Sequence, residues 1–205
     1  MAVDPFALTT LADVKSHLNI PVGNVSQDET LERMINSSSA KIENFLSRRI
    51  LQRAYNEYQD GRSNDRILLS QWPVEFPSEV WVDSSGLFTD VSNQLDSADY
   101  VLEGDPAIGI VLLGGRLFSK GIKNIKIVYN GGYVTVPYDI AESCIMTVEY
   151  MYDMRSDRRI GVTSKSKNSE NVTYIQDLPE FVINTLLPYQ RFFEFDQASI
   201  AVQNG

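Results

Sequence analysis

The sequence predicts an α+β fold, a helical bundle of about four helices built from both chain ends, with an inserted small β-sheet or β-barrel domain. Three observations lead to this prediction. Apolar residues recur at three- and four-residue spacing near both ends. The middle of the chain carries short alternating runs separated by Gly, Pro, Asn and Asp. A single stretch, Ile125 to Ala141, joins the two patterns. With 205 residues, of which 43% are hydrophobic and 22% charged, the chain can bury a substantial core.

A strand leads into a helix at the end of the predicted insertion. Alternate positions from Ile125 to Tyr129 are apolar, which is typical of a strand with one buried face. Gly131 and Gly132 follow and allow backbone angles that are closed to other residues. A helix of about four turns is expected to start near Pro137, whose missing N–H needs no partner in a first turn. Its apolar face consists of Ile140, Ala141, Cys144, Ile145, Val148, Met151 and Tyr152.

Two helices are predicted before the insertion. The first begins at a capping threonine after Leu8 and ends before Pro21. The second begins at a capping box formed by Ser26 and Glu29. Its Ser37–Ser39 run has poor helix propensity but small side chains, so it suits a place where another helix crosses closely. The inward positions of these two helices are Leu11, Val14, Leu18, Leu31, Met34, Ile35, Ser38, Ile42, Phe45 and Leu46.

One more helix is predicted near the C-terminus. Asp177 is its expected N-cap, Pro179 lies in its first turn, and Pro188 stops or kinks it. Its inward face consists of Phe181, Val182, Thr185 and Leu186.

Between the second and third helices the pattern is that of a β-rich insertion with five or six strands. Turn signals such as Asp60-Gly61 and Ser85-Gly86 separate the strands. The predicted strands are Arg53 to Gln59, Arg66 to Leu69, Glu79 to Asp83, Tyr100 to Glu103, Gly109 to Leu113 and Asn124 to Asn130.

Residues suited to catalysis are few. His17 is the only histidine, so Ser-His-Asp and Cys-His pairs have no free partner and a multi-histidine metal site is excluded. Cys144 is the only cysteine, and its place on an apolar helix face predicts a buried small hydrophobe. The aspartates from Asp83 to Asp105 lack the spacing of a calcium loop. We therefore predict no catalytic residue, no metal and no cofactor, and expect that the chain is not an enzyme.

The distribution of charge says more about function than the candidate catalytic residues do. The net charge of −9 disfavours general binding to nucleic acid. Basic residues nevertheless concentrate at Arg155 and in the polar segment 156–171, which we interpret as a flexible loop. This loop is either a solvated linker or an element that orders on assembly. No run of about 18 apolar residues indicates a membrane span, and the first residues do not have the pattern of a signal peptide.

Several blocks together resemble the head-tail connector family of long-tailed (siphophage-type) phages, also called adaptor or head-completion proteins. The matching blocks occur in the family's order and with its pattern of turns. They are Leu8–Leu18, Ile42–Arg49, Val128–Ile140 and Leu178–Arg191. The insertion departs from the smaller members of the family, which carry little between the second helix and the Gly-Gly-Tyr turn.

The resemblance implies a structural virion protein of the phage neck, assembled in the bacterial host cytoplasm. Subunits would form a ring, twelvefold in the assembled state, beneath the portal protein. The ring would extend the DNA channel, which packaged DNA crosses without sequence-specific binding. It would also provide the docking surface for a stopper or tail-completion protein. The domain boundaries are then 1–50 for the N-terminal helices, 51–130 for the β insertion, 131–192 for the C-terminal helices with the loop 156–171, and 193–205 for a docking tail.

The resemblance also suggests site residues. Family members use their C-terminal region to dock on the portal, and the apolar residues in this tail are the candidates for that contact: Phe193, Phe195, Ile200 and Val202. The basic loop would face the channel or an adjacent subunit through Arg158, Arg159, Lys165 and Lys167.

Two alternatives stay open. The chain could be the stopper or tail-completion component of the same neck. The insertion could instead bind a carbohydrate or another ligand, with a stacking surface formed by Tyr55, Tyr58, Trp72, Trp81 and Tyr100.

Overall fold

The structure is a computed structural model that describes residues 2–156, 164–167, 170–173 and 178–191. Helices and strands together give the α+β class that the sequence predicts. The helices are α1 (Leu11–His17), α2 (Asp28–Leu46), α3 (Tyr138–Ser156) and α4 (Glu180–Leu186). The strands are β1 (Arg53–Gly61), β2 (Arg66–Leu68), β3 (Glu79–Val82), β4 (Tyr100–Glu103), β5 (Gly109–Leu112), β6 (Gly121–Gly131), β7 (Ser164–Lys167) and β8 (Glu170–Thr173). The chain divides into two compact units, residues 1–48 with 138–205, and residues 49–137.

The helical unit packs α1, α2 and α3 around a shared apolar core. Thr10 begins α1 as predicted, because its hydroxyl accepts a hydrogen bond from the backbone N–H of Asp13 at 3.1 Å. Residues from all three helices are fully or almost fully buried, as the helical spacing requires. The buried residues of this core are Val14, Leu31, Met34, Ile35 and Val148.

The close crossing predicted for the serine run is confirmed. Ser38 and Ser39 are buried on α2 and face α3. The Ser38 hydroxyl lies 3.3 Å from Met151 Sδ, and the Ser39 hydroxyl lies 3.6 Å from Cys144 Sγ. Small side chains at these positions let the two helix backbones approach closely.

The capping box predicted at Ser26 and Glu29 is wrong. The N-cap of α2 is Gln27, whose side chain makes no capping hydrogen bond. The Ser26 hydroxyl instead donates to the Asn24 side-chain carbonyl at 2.7 Å. The preceding asparagine competes for the serine and closes a local turn, which sequence spacing alone does not reveal.

The β unit contains two three-stranded antiparallel sheets, with strand orders β1-β6-β3 and β2-β5-β4. The six strands match the predicted strands within a few residues. Ile125, Ile127 and Tyr129 on β6 are buried, which confirms the alternation read from the sequence. Tyr129 also donates a hydrogen bond from its hydroxyl to the Glu57 carboxylate at 2.7 Å. The two sheets and the loops between their strands supply one core: Ile67, Leu69, Val74, Val80, Tyr100, Ile110, Leu112, Phe118, Ile125, Ile127 and Tyr129.

The two ends of the β unit are hydrogen bonded to each other. The Gln52 N–H donates to the Tyr133 carbonyl at 2.9 Å, and the Tyr133 N–H donates to the Ile50 carbonyl at 2.8 Å. Gly132 lies at the contact with a φ of +110°, and a Cβ there would come within 2.8 Å of the Ile50 carbonyl oxygen. Glycine is therefore required in this turn by both its backbone angle and the close approach of the entering chain.

The segment 156–171, predicted as a loop, contains regular structure. Strands β7 and β8 pair antiparallel, with Lys165 opposite Val172 and Lys167 opposite Glu170. The prediction missed this hairpin because the Ser-Lys-Ser-Lys run alternates two kinds of polar residue, so no apolar period marks it as a strand.

Near the C-terminus, α4 begins after Pro179 and a 3-10 turn containing Pro188 follows it, consistent with a proline stop. The prediction of Asp177 as the N-cap and of Pro179 in the first turn is wrong, because Pro179 itself is the N-cap of α4. Asp177 lies outside the described residues.

Candidate functional site

In the helical unit, the two residue types most often used in catalysis, His17 and Cys144, occupy structural positions. His17 on α1 lies 2.9 Å from the Glu149 carboxylate on α3, so it joins two helices. Cys144 is fully buried, and burial raises the pKa of its thiol to about 12. The part of the chain that the structure describes holds no group of three His, Cys, Asp or Glu side chains arranged for a metal ion.

The aromatic residues considered as a stacking surface do not form one. Trp81 and Tyr100 are buried. Tyr55 stacks on Tyr129 with ring centroids 5.6 Å apart, and Trp72 packs against the core of the β unit. Only Tyr58 among these five residues is exposed. These rings stabilise the β unit, so the geometry does not favour the ligand-binding alternative.

Most of the candidate contact residues lie outside the described residues. This holds for Phe193, Phe195, Ile200 and Val202 in the tail and for Arg158 and Arg159 in the basic segment. Lys165 and Lys167 belong to β7, whose backbone pairs with β8. Their roles remain predictions.

A second surface, which the sequence analysis did not identify, lies between β3 and β4. We call residues 83–99 the β3–β4 segment. It begins at Asp83, whose buried carboxylate accepts hydrogen bonds from the Ser85 N–H at 2.8 Å, the Ser85 hydroxyl at 2.7 Å and the Phe88 N–H at 2.9 Å. These bonds, led by the one from the Ser85 hydroxyl, lower the pKa of Asp83. A single carboxylate therefore holds the first turn of the segment in place.

Further contacts fix the rest of the segment. Phe88 has a φ of +53°, rare for a bulky residue, and its ring lies 5.6 Å from that of Tyr58 on β1. Asp90 and Asp96 each cap a 3-10 turn by accepting a backbone N–H. Asp99 forms an ion pair with Arg116 at 2.6 Å. The segment is thus held in one conformation by side-chain contacts, although it lacks long helices or strands.

The β3–β4 segment displays aliphatic side chains to solvent within an acidic surface. Leu87 is 72% exposed and Val91 is 76% exposed. The segment contains four aspartates and no lysine or arginine. The sequence signal for this surface is the absence of basic residues over 17 positions, which spacing between aspartates does not reveal. Exposed apolar side chains on an ordered acidic surface are a feature of contact sites for other proteins.

No helix among the described residues is long and apolar enough to cross a membrane.

The chain was compared with protein families, curated proteins and solved structures. The family model of the head completion protein (HCP) matches residues 7–192. No curated protein matches the chain.

Three solved structures share the fold. The neck of an empty GTA particle computed with C6 symmetry contains a chain with 17% identity and a TM-score of 0.60, with 95% of this chain and 96% of that chain covered. The neck of a native GTA particle computed with C12 symmetry gives 18% identity and a TM-score of 0.59, with 95% of both chains covered. The virion of a native gene transfer agent (GTA) particle gives 18% identity and a TM-score of 0.60, again with 95% of both covered.

These identities are low, so the solved structures establish a shared fold over nearly the full length. The family match covers both helical ends and the insertion between them, and the resemblance seen in the sequence blocks agrees with it. The chain therefore belongs to the head completion protein family.

Proposed function

We propose that this protein is the head-tail adaptor of a tailed phage. Its copies assemble as a ring beneath the portal protein. The ring extends the DNA channel and presents a docking surface to the stopper or tail-completion protein. The role is mechanical and involves no catalytic step.

One observation carries this proposal: the family match spans residues 7–192, and chains of the same fold occur in neck structures computed with C6 and C12 symmetry. A ring of identical subunits repeats each modest interface many times. Simultaneous contacts raise the overall affinity well above that of any single contact. A protein with a net charge of −9 is suited to line a DNA channel, because its acidic surface repels the passing phosphates.

The portal contact is assigned to the C-terminal tail. Residues 192–205 include three phenylalanines and a short aliphatic stretch, which are too apolar for a solvated tail. Phe193, Phe195, Ile200 and Val202 are the proposed contact residues. The basic residues Arg158, Arg159, Lys165 and Lys167 are proposed to face the channel or a neighbouring subunit.

Deletion of residues 197–205 tests the portal contact. We expect the truncated protein to keep the thermal unfolding midpoint of the full chain and to lose binding to the portal from the same genome. Light scattering of the protein alone and mixed with portal, followed by electron microscopy of the complex, measures both the mass and the position of the ring. Undiminished portal binding after the deletion contradicts the assignment of the tail.

The same mixtures distinguish the adaptor from the stopper. An adaptor binds the portal directly and stacks on it coaxially. A stopper or tail-completion protein binds only after another neck protein is present, so failure to bind the portal alone, with binding to a preformed portal complex, would favour that alternative.

A further inference from the structure

We propose that the β3–β4 segment is one half of the contact between neighbouring subunits, and that its occupant is the basic segment 155–167 of a second copy of this chain. The inference rests on the proposed ring assembly and adds the pair of surfaces that closes it.

Charge complementarity identifies the occupant. The β3–β4 segment contains four acidic residues and no basic ones. Residues 155–167 contain five basic residues and one acidic residue, Asp157. Asp83 is buried and Asp99 is paired with Arg116. The exposed negative charge of the β3–β4 segment therefore comes from Asp90 and Asp96. The basic segment has the opposite sign, in a chain that is acidic overall. A second copy of the same protein supplies a matching partner at the same concentration, without any other neck component.

The aliphatic residues match as well. Leu87 and Val91 project from the acidic surface with 72% and 76% exposure. The basic segment contains Ile160 and Val162 between its arginines and its lysines. Two aliphatic side chains on each side can form a small apolar centre surrounded by opposite charges, the usual arrangement of a protein interface.

The segment is already ordered before any contact forms. Asp83 fixes the turn that carries Leu87, and Asp90 caps the turn that contains Val91. A surface that is preorganised loses less conformational entropy on binding. Because the two halves lie at different places in the chain, the contact is head-to-tail, which generates a ring when the rotation closes.

Charge reversal separates this proposal from its competitors. The first variant carries Asp90→Lys, Gln94→Lys and Asp96→Lys, which turns the β3–β4 segment from acidic to basic. The second carries Arg158→Glu, Arg159→Glu and Lys165→Glu, which turns the basic segment acidic. Each variant alone brings like charges together. We expect ring yield on the portal, counted by electron microscopy, to fall at least about tenfold for each.

Mixing the two variants in equal amounts should restore the ring. Half of the contacts in an alternating ring then join a basic β3–β4 segment to an acidic 155–167 segment. The other half join the unchanged acidic β3–β4 segment to the unchanged basic segment, and an even-numbered ring such as a C12 assembly closes without a mismatch. The variant with Asp90→Asn and Asp96→Asn is the matched control for the capping role of these two aspartates, since asparagine still caps the turns. Asp105→Lys, at an exposed position of the same unit outside the segment, should leave ring yield unchanged. Thermal unfolding verifies that every variant is folded.

The other possible results of the charge-reversal experiment can be told apart from one another. Unchanged ring yield in both variants overturns the subunit contact but leaves the adaptor function standing. Rescue only by a single chain that carries all six substitutions shows a contact within one subunit and overturns the proposal. Loss of rings without rescue in either form assigns the segments to other partners and overturns it too. If the wild-type protein forms no ring on the portal, the proposed function fails first.

Discussion

At the scale of single residues, Asp83 holds the first turn of the candidate contact surface in place. Its two carboxylate oxygens hold the Ser85 and Phe88 N–H groups, and Phe88 needs such support because its backbone is left-handed. The sequence did not reveal this role, because an aspartate at the end of a predicted strand is equally common in solvated turns. The hydrogen bonds depend on the fold that brings the next five residues back to it.

Replacement of Asp83 by asparagine is expected to destabilise the protein near neutral pH. The new amide places an N–H donor against the donor that one carboxylate oxygen now accepts. The pKa of Asp83 is lowered on folding, so its contribution to stability is present above the ordinary aspartate range and is lost as pH falls through the lower folded value. The stability difference between wild type and Asp83→Asn should therefore shrink as pH drops below about 4.

Urea unfolding at pH 7 and at pH 3 measures this difference. Asp153→Asn, at an exposed position on α3, is the matched control for loss of one negative charge. A difference that stays constant between the two pH values would show that Asp83 does not act through its ionised carboxylate.

At the scale of secondary-structure elements, agreement with the sequence followed the strength of the apolar pattern. Strands β1 and β6 were predicted from alternating positions, whereas β3 and β5 were predicted as short apolar runs between turn signals. The β7–β8 hairpin was missed because its residues are polar at every position of the first strand. Strand order was not predictable either. β6 pairs with β1 and β3, which precede it by more than forty residues, and only tertiary packing selects these partners.

The α2–α3 crossing gives a prediction at this scale. Ser38→Leu should destabilise the protein by about 1–3 kcal/mol or more, because the added side chain has no space between the helices. Ser37→Leu, one position earlier on the exposed side of α2, should change stability by less than about 0.5 kcal/mol. Chemical denaturation of both variants measures the difference. Similar stability of the two would mean that the helices do not pack closely at Ser38.

At the scale of the whole molecule, each compact unit has a core of its own. The core of the β unit consists of residues from its two sheets and the loops between them. The sequence predicts an insertion at residues 51–130, because the periodicity changes from helical to alternating at its limits. The surface between β3 and β4 could not be predicted in the same way. Leu87 and Val91 are aliphatic residues of the kind that usually lies in a core, and only the fold shows that they are exposed.

We expect residues 49–137, expressed alone, to fold. The unit has a buried core, and its two ends already lie together through hydrogen bonds, so separation from the helices leaves no long unpaired edge at that point. Dispersed amide signals in a proton–nitrogen NMR spectrum and a cooperative thermal transition are the expected results. A spectrum with the narrow dispersion of an unfolded chain would show that the insertion depends on the helices.

The hydrogen bonds of Ile50 and Gln52 with Tyr133 also affect which insertions and deletions the chain can accept, in evolution or by design. The backbone enters and leaves the insertion at one place, whatever length of sequence lies between. Loop-closure entropy rises only slowly with length, so extra or fewer residues there carry a small penalty. A foreign domain with adjacent termini could replace the insertion at this junction and would then be displayed once per subunit.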